Sequence, residues 1–397
     1  MSAFTFGHRM LEHWPLDPSI TYLNHGTVGV TPRRVLEAQR RIRDEIERQP
    51  SHFMLRELSD WVGRQRSEPT RLRRAAAQVA AFVGARGDDL AFVDNATAGA
   101  NSVLRSLPFD SEDEILITGQ TYGGVARAVE YAASVRGARR RVVEVPYPRF
   151  DPDELVKRIE AGIGERTRLL LIDHVVSETA LIIPVREIAR RCHARGVPVL
   201  VDGAHAPGML DLDIGSLGVD WYAANLHKWA HAPRSCGILW AAPERQAGLH
   251  PPVISWGLNT GFLAEFDWVG TRDPSPWLAA PEGLAFLREM DFAAVRSYNH
   301  ALAWEASQIL SRRWRVPFEI PESCIGSMVT VPLPEVLGND EQQAGALRDQ
   351  LLFEDRIEVH VHPGHGRLWA RVSAQVYNDR SDIEQLAEAV AHRADLR

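Results

Sequence analysis

Two short runs carry residues whose types could do chemistry together. The first, Asp220-Trp-Tyr-Ala-Ala-Asn-Leu-His-Lys-Trp-Ala-His-Ala-Pro-Arg, is apolar until Asn225 and His227 and then presents Lys228 beside Trp229. A lysine that follows a buried strand is partly desolvated, which lowers its pKa and leaves a free amine able to form a Schiff base. The second, Val197-Pro-Val-Leu-Val-Asp-Gly-Ala-His-Ala-Pro-Gly, is an apolar strand ending in Asp202, with His205 close behind. By itself an apolar strand ending in Asp often only starts a turn. Beside the lysine run it acquires a second meaning. A lysine for an aldehyde and a carboxylate for a pyridinium nitrogen are the two groups that pyridoxal 5'-phosphate requires.

At these runs the chain resembles the class V, cysteine-desulfurase-like aminotransferase superfamily, and within it the isopenicillin N epimerase-like branch. The resemblance extends from Tyr22-Leu-Asn-His-Gly to Arg371-Val-Ser-Ala-Gln-Val-Tyr-Asn and includes Gly270-Thr-Arg-Asp-Pro. It implies an α/β protein of the PLP-dependent transferase fold type I, with a mostly parallel central sheet and a smaller C-terminal α+β domain. It also implies roles. Lys228 would carry the cofactor, Asp202 would keep the ring nitrogen protonated, and His205, where the family has Gln or His, would reach the phenolic oxygen. Tyr122 matches the aromatic residue that stacks on the ring, and Arg371 matches the arginine that binds the substrate carboxylate. Thr271 matches a residue contributed by the neighbouring subunit to the phosphate, so a homodimer with shared active sites is expected.

Phosphate binding needs backbone N–H groups at a helix start and a few further donors. Asn95-Ala-Thr-Ala-Gly opens a helix after a strand, which nominates Ala96 and Thr97, although the same run reads equally as an N-cap. Asn225 and His227 precede the lysine closely enough to approach the same phosphate. Ser177 follows another strand and joins the cofactor-binding set. Asn24 and His25 are expected to line the entrance. Arg56 either faces the substrate side chain or is a solvated helical arginine, and Glu178 is either an acid/base group or a surface carboxylate.

The elements that must position these residues alternate along the chain. Strands are expected at Leu90–Val93, Glu114–Thr118, Arg141–Val145, Arg168–Asp173, Val197–Asp202, Asp220–Ala223 and Gly237–Trp240. Helical patterns such as Ala98–Leu107, Val125–Ala133, Pro152–Ala161 and Val185–Arg195 separate several of them. Alternation of this kind predicts a mostly parallel sheet covered on both faces, with its ligand beyond the carboxyl ends of the strands. Asn95, Tyr122, Ser177, Asp202 and His227 all follow strand ends. Residues 1–30 read as an extended N-terminal arm and 31–280 as the large cofactor-binding domain. Residues 281–397 read as a linking helix, from about Pro281 to Trp314, and a small domain.

Bulk properties narrow the function classes. A net charge of −7 gives nucleic-acid binding no electrostatic support, and Arg139-Arg-Arg reads as a solvated loop. No apolar run is long enough for a membrane span and no signal peptide is evident. Cys192, Cys236 and Cys324 lack metal-ligand spacing and form an odd set, so a reduced cytoplasmic setting and no metal are expected.

The expected activity is therefore isopenicillin N epimerase-like, at the α-carbon of an amino-acid-type substrate, with epimerisation, elimination and transamination all open. The string His174-Val-Val-Ser-Glu-Thr-Ala departs from epimerase-like relatives and is nearer to cysteine desulfurases, so C–S lyase or desulfurase-like sulfur chemistry is the alternative. Desulfurases need a nucleophilic cysteine on a mobile loop, and Cys324 lies in no such setting. A non-catalytic PLP-dependent sensor is the remote reading, because no basic winged-helix-sized region precedes Tyr22 and both Lys228 and Asp202 are present.

Overall fold

The computed structural model describes residues 4–58 and 68–396. Its strands, in chain order, are β1 (Thr21–Tyr22), β2 (Leu90–Val93), β3 (Glu114–Thr118), β4 (Arg139–Val143), β5 (Thr167–Asp173) and β6 (Val199–Asp202). They continue with β7 (Trp221–Asn225), β8 (Gly237–Ala241), β9 (Met328–Pro332), β10 (Ile357–Glu358), β11 (His360–Gly364) and β12 (Arg367–Ser373). Seven form one sheet in the order β2-β8-β7-β6-β5-β3-β4. Only β8 runs against its neighbours. The α/β architecture of PLP-dependent fold type I is present.

Burial on both faces explains why these strands read as unbroken apolar runs. Along β5, Leu170 and Ile172 join one core while Leu169 and Leu171 join the other. Helices Ala96–Ser106 and Gly123–Arg136 supply the second core, and Pro152–Gly162 and Val185–His193 supply the first. Gly99 lets its helix lie close to the sheet, since a Cβ there would stand 2.8 Å from Ala223 Cβ. The edge strand β4 is the exception. Arg139, Arg140 and Arg141, read above as a solvated loop, are strand residues paired with Glu112, Glu130 and Glu114. A charged edge of this kind resists pairing with another chain.

Two further departures have local causes. The long helical region splits into Ser275–Glu289 and Phe292–Trp314, because Asp291 adopts φ 64° and its carboxylate caps Ala293 and Ala294. The first thirty residues are not an extended arm throughout. His8–His13 forms a 3-10 turn, Trp14 is fully buried, and His25–Val28 is a helical turn.

This N-terminal segment ties the molecule together. β1 pairs in parallel with β10, and Asn24 bridges to Ser373 at the end of β12. The second sheet, β11-β12-β9, is antiparallel and carries Arg371. Gly29, after the His25–Val28 turn, has φ 69°, and a Cβ there would lie 1.9 Å from the carbonyl oxygen of His227. The segment thus touches the backbone one residue before Lys228. Gly29→Ala should lower stability by more than about 1 kcal/mol, from positive φ alone, and more from the backbone clash. A fall of about 2 °C or more in the thermal midpoint, with weaker cofactor retention, is the expected result.

Candidate active site

Five strands deliver residues to one cavity of about 210 Å³ at their carboxyl ends. Asn95, Ala96 and Thr97 follow β2, Tyr122 follows β3, and Asp173 ends β5 with Ser177 just beyond. Asp202 ends β6 with His205 beyond it, and Asn225, His227 and Lys228 come from the end of β7. A larger cavity, about 620 Å³, lies between Tyr147, Trp369 and several arginines. Its lining holds neither a lysine nor a buried carboxylate, so the chemistry belongs to the smaller one.

Lys228 Nζ lies 3.2 Å from His205 Nε2. Burial, helped by the charge of Arg371 and opposed by Asp202, lowers the lysine pKa to about 7. Half of its amine is then free near neutrality, where an ordinary lysine is almost wholly charged. Asp202 accepts from the Ala204 N–H at 3.1 Å, and burial raises its pKa to about 6. On the neighbouring strand, in register with it, stands Asp173. Burial and the Asp202 charge push Asp173 well up, so the pair does not hold two charges cheaply. One Asp173 oxygen accepts from the Tyr122 N–H at 3.1 Å, and the other is buried without a partner. Tyr122 itself is exposed at the mouth.

The helix start after β2 is more committed than its sequence implies. The Ala96 N–H, expected to face a phosphate, donates to Asn225 Oδ1 at 2.8 Å, and the Ala98 N–H donates to Asn95 Oδ1 at 2.9 Å. Thr97 lies between them on the cavity wall. His227 has its Nδ1–H directed at the Cys236 carbonyl, 3.0 Å away, and burial lowers its pKa to about 4. It can donate from Nε2 only as the imidazolium, a form that a neighbouring anion favours.

Arg371 is buried and faces neutral oxygens. It donates to the Ser177 carbonyl at 2.6 Å and to Thr27 Oγ1 at 2.7 Å, with longer contacts to Ser177 Oγ and Asn24 Oδ1. Its Nε has no partner, and burial pulls its pKa to about 10. Among the described residues no carboxylate forms an ion pair with it. A buried guanidinium held in this way leaves its charge for an incoming anion. Glu178 is exposed, yet near enough to Arg371 to feel its charge, while partial burial raises its own pKa.

Several expected site residues stand elsewhere. His25 does not line an entrance. It is fully buried behind the lysine, with Nε2 2.9 Å from the Lys228 carbonyl and Nδ1 2.8 Å from the Tyr377 hydroxyl. Since a carbonyl only accepts, Nε2 carries the proton and Tyr377 donates to Nδ1. Asn24 is also buried and donates to Glu358 Oε1 at 2.8 Å. Arg56 lies outside the cavity and donates to the Ser51 carbonyl at 3.4 Å. Thr271 is exposed and does not reach the cavity of its own chain. The sequence reading overlooked Asp173 and Thr27. Asp173 ended an apolar strand just as Asp202 did, and that was the available signal.

The residues present fit pyridoxal 5'-phosphate. A desolvated amine, a buried carboxylate, a helix start and an exposed aromatic ring surround one small cavity, and an oxygen of Asp173 there is orphaned. Outside it, His8, Asp379 and Asp382 lie close together, and their ion pairs pin the N-terminal segment to the start of the last helix.

Comparison with known proteins agrees with this geometry. The family described as Aminotransferase class-V matches residues 62–386. A probable chloroplastic L-cysteine desulfhydrase of Arabidopsis thaliana is 33% identical over 402 residues, covering 94% of this chain and 83% of that one. An isopenicillin N epimerase of Streptomyces clavuligerus is 34% identical over 393 residues, covering 94% and 95%. The solved apo structure of a cysteine desulfurase from Thermococcus onnurineus NA1 superposes with a TM-score of 0.79 at 20% identity, covering all of both chains. That likeness is one of fold.

The lysine is directly testable. Acylation of Lys228 in the cofactor-free chain, followed by peptide mapping across a pH series, should be half-maximal near pH 7 and fall away below it. A midpoint near that of an exposed lysine, above pH 10, would contradict the desolvated site.

Proposed function

The chain belongs to the class-V aminotransferase family and is a pyridoxal 5'-phosphate-dependent enzyme acting on amino-acid-type substrates, and on that premise we propose that it eliminates sulfide from a cysteine-like amino acid. The order of the two readings reached from sequence is thereby reversed, with C–S lyase chemistry first and epimerisation second. One combination carries the proposal. A desulfhydrase relative spans almost the whole chain, and no cysteine here is placed to take up sulfur. Cys192, Cys236 and Cys324 are all buried, and burial raises the pKa of each. Persulfide transfer needs an exposed, readily ionised thiol. Elimination needs none.

Each residue then has a task set by its position. When bound, the cofactor supplies an electron sink that acidifies the substrate α-carbon. Arg371, turned toward neutral oxygens, receives the substrate carboxylate. Lys228 Nζ, uncharged in about half of the molecules at neutral pH, takes the α-proton and can return it. Asp202, buried at the end of β6, is the counter-charge for a protonated ring nitrogen. Thr97, Asn225 and His227 form the phosphate side. Epimerisation remains the second reading because an isopenicillin N epimerase is equally similar in sequence.

Incubation of the holoenzyme with L-cysteine should release sulfide, ammonia and pyruvate in equal amounts, and Cys324→Ser should change that rate by less than about twofold. If the substitution abolishes sulfide release while the cofactor stays bound, persulfide chemistry replaces elimination. Inverted amino acid without sulfide would favour the epimerase.

The working unit in this reading is a homodimer in a reducing compartment. Val253, Ile254, Trp256 and Leu258 are exposed along one segment, and Trp256 is 79% accessible. Val253 and Arg272 line one apolar recess, so this segment adjoins the Thr271 loop. Exposed apolar surface of this kind marks an association face. Arg272 stacks on Trp277 at 3.9 Å and pairs with Asp94, which holds the loop in place beside the exposed Thr271. Mixing an inactive Lys228→Ala chain with a chain bearing Thr271→Trp should restore activity in heterodimers, where one site receives both wild-type contributions. Verified heterodimers without rescue would place each site within one chain.

A further inference from the structure

Two side chains in line with the reactive amine permit only one arrangement of protons. Trp229 Nε1 lies 3.3 Å from His205 Nδ1, and His205 Nε2 lies 3.2 Å from Lys228 Nζ. An indole N–H can donate but never accept. His205 Nδ1 must therefore be the acceptor, and the neutral ring then carries its proton on Nε2. That proton points at Lys228 Nζ. The contact is a hydrogen bond only when the amine offers its lone pair, which an ammonium cannot do. The other tautomer would set the indole N–H against an imidazole N–H, and the imidazolium would do the same.

The surroundings leave Trp229 little choice. Its side chain is fully buried among Val175, Ala180, Met209 and Met328, and its ring centroid is 4.9 Å from that of His25. A Cβ on Gly208 would stand 2.2 Å from the Trp229 carbonyl oxygen, so the backbone is hemmed in as well. His205 is buried too, and burial with the Lys228 and Arg371 charges lowers its pKa well below the usual value. Of the charged groups around the amine, Asp202 favours the ammonium and Arg371 opposes it, and Asp173 and Tyr122 line the same cavity. His25 and His227, on either side, are neutral by burial.

We propose that Trp229 is a positioning residue that locks His205 in its Nε2–H tautomer and so selects the uncharged, nucleophilic form of Lys228. This rests on Lys228 being the reactive amine, but not on which product the enzyme releases. The same proton is what makes His205 a donor toward the cofactor side of the lysine. Replacing the indole by a ring without N–H frees His205 to adopt the opposite tautomer, whose Nε2 lone pair accepts from an ammonium and raises the lysine pKa.

The test reads the proton directly. Full-length chain labelled with ¹⁵N-histidine, freed of cofactor, should show His205 with a pyridine-type Nδ1 and a pyrrole-type Nε2, assigned by the resonances lost in His205→Gln. A pyrrole-type Nδ1 in the wild-type chain overturns the proposal without any variant having to fold. In Trp229→Phe, the pH at half-acylation of Lys228 should rise by about one unit, roughly a fivefold loss of free amine at pH 7. A purely structural role would lower the melting temperature and leave both readouts unmoved, and that outcome also overturns it. Neither readout depends on sulfide release, so the lyase assignment can fail while this one stands.

Discussion

An uncharged primary amine buried beside other charges is the condition on which the rest of this structure depends. A lysine prefers water, and removing its solvent costs free energy unless the charge is lost or paired. Here the charge is lost in about half of the molecules near neutral pH. The cavity accomplishes this by closing around Lys228 from five strand ends while keeping Arg371 near enough to oppose an ammonium. Asp202 works against that outcome. A carboxylate strong enough to hold a pyridinium would, if closer or better exposed, hold the lysine charged instead. Its own raised pKa and its neighbour Asp173 moderate its pull.

The site is assembled from groups that a stability argument alone would remove. Arg371 is buried with a nitrogen unpaired, Asp173 keeps an orphaned oxygen, and His231 has an unpartnered Nδ1 behind the lysine. Each costs folding free energy of about 1–3 kcal/mol. Such costs persist where ligand atoms complete the hydrogen bonding, and Asp173 lines the cavity that fits the cofactor. The apolar layers on both faces of the large sheet supply the stability that offsets them.

The N-terminal segment makes these parts into one site. Asn24 bridges to β12, Thr27 and Asn24 orient Arg371, His25 holds the Lys228 carbonyl, and Gly29 lies against His227. Arg371 stands on β12 of the second sheet and Lys228 follows β7 of the first, and the segment contacts both. A shift of either sheet is therefore felt at the other through a few hydrogen bonds. This gives the run Tyr22-Leu-Asn-His-Gly a mechanical task distinct from lining an entrance.

Much of the site was legible in the chain itself. Lys228 after an apolar strand, Asp202 at the end of another, and Thr97 at a helix start are local patterns, because strand and helix periodicities act over a few residues. Alternation of elements likewise dictated a parallel sheet, and with it the edge at which a ligand must bind. Even the disfavour of Cys324 as a nucleophile was a local reading. What the tertiary structure decided were partnerships between distant residues. That the Ala96 amide is taken by Asn225, that Arg371 lies against Ser177, and that His25 stands behind Lys228 depend on packing across more than a hundred positions. Tautomers belong to the same class. Nothing in His205 or Trp229 specifies which imidazole nitrogen bears the proton, since that follows only when a donor-only indole is pressed against one of them.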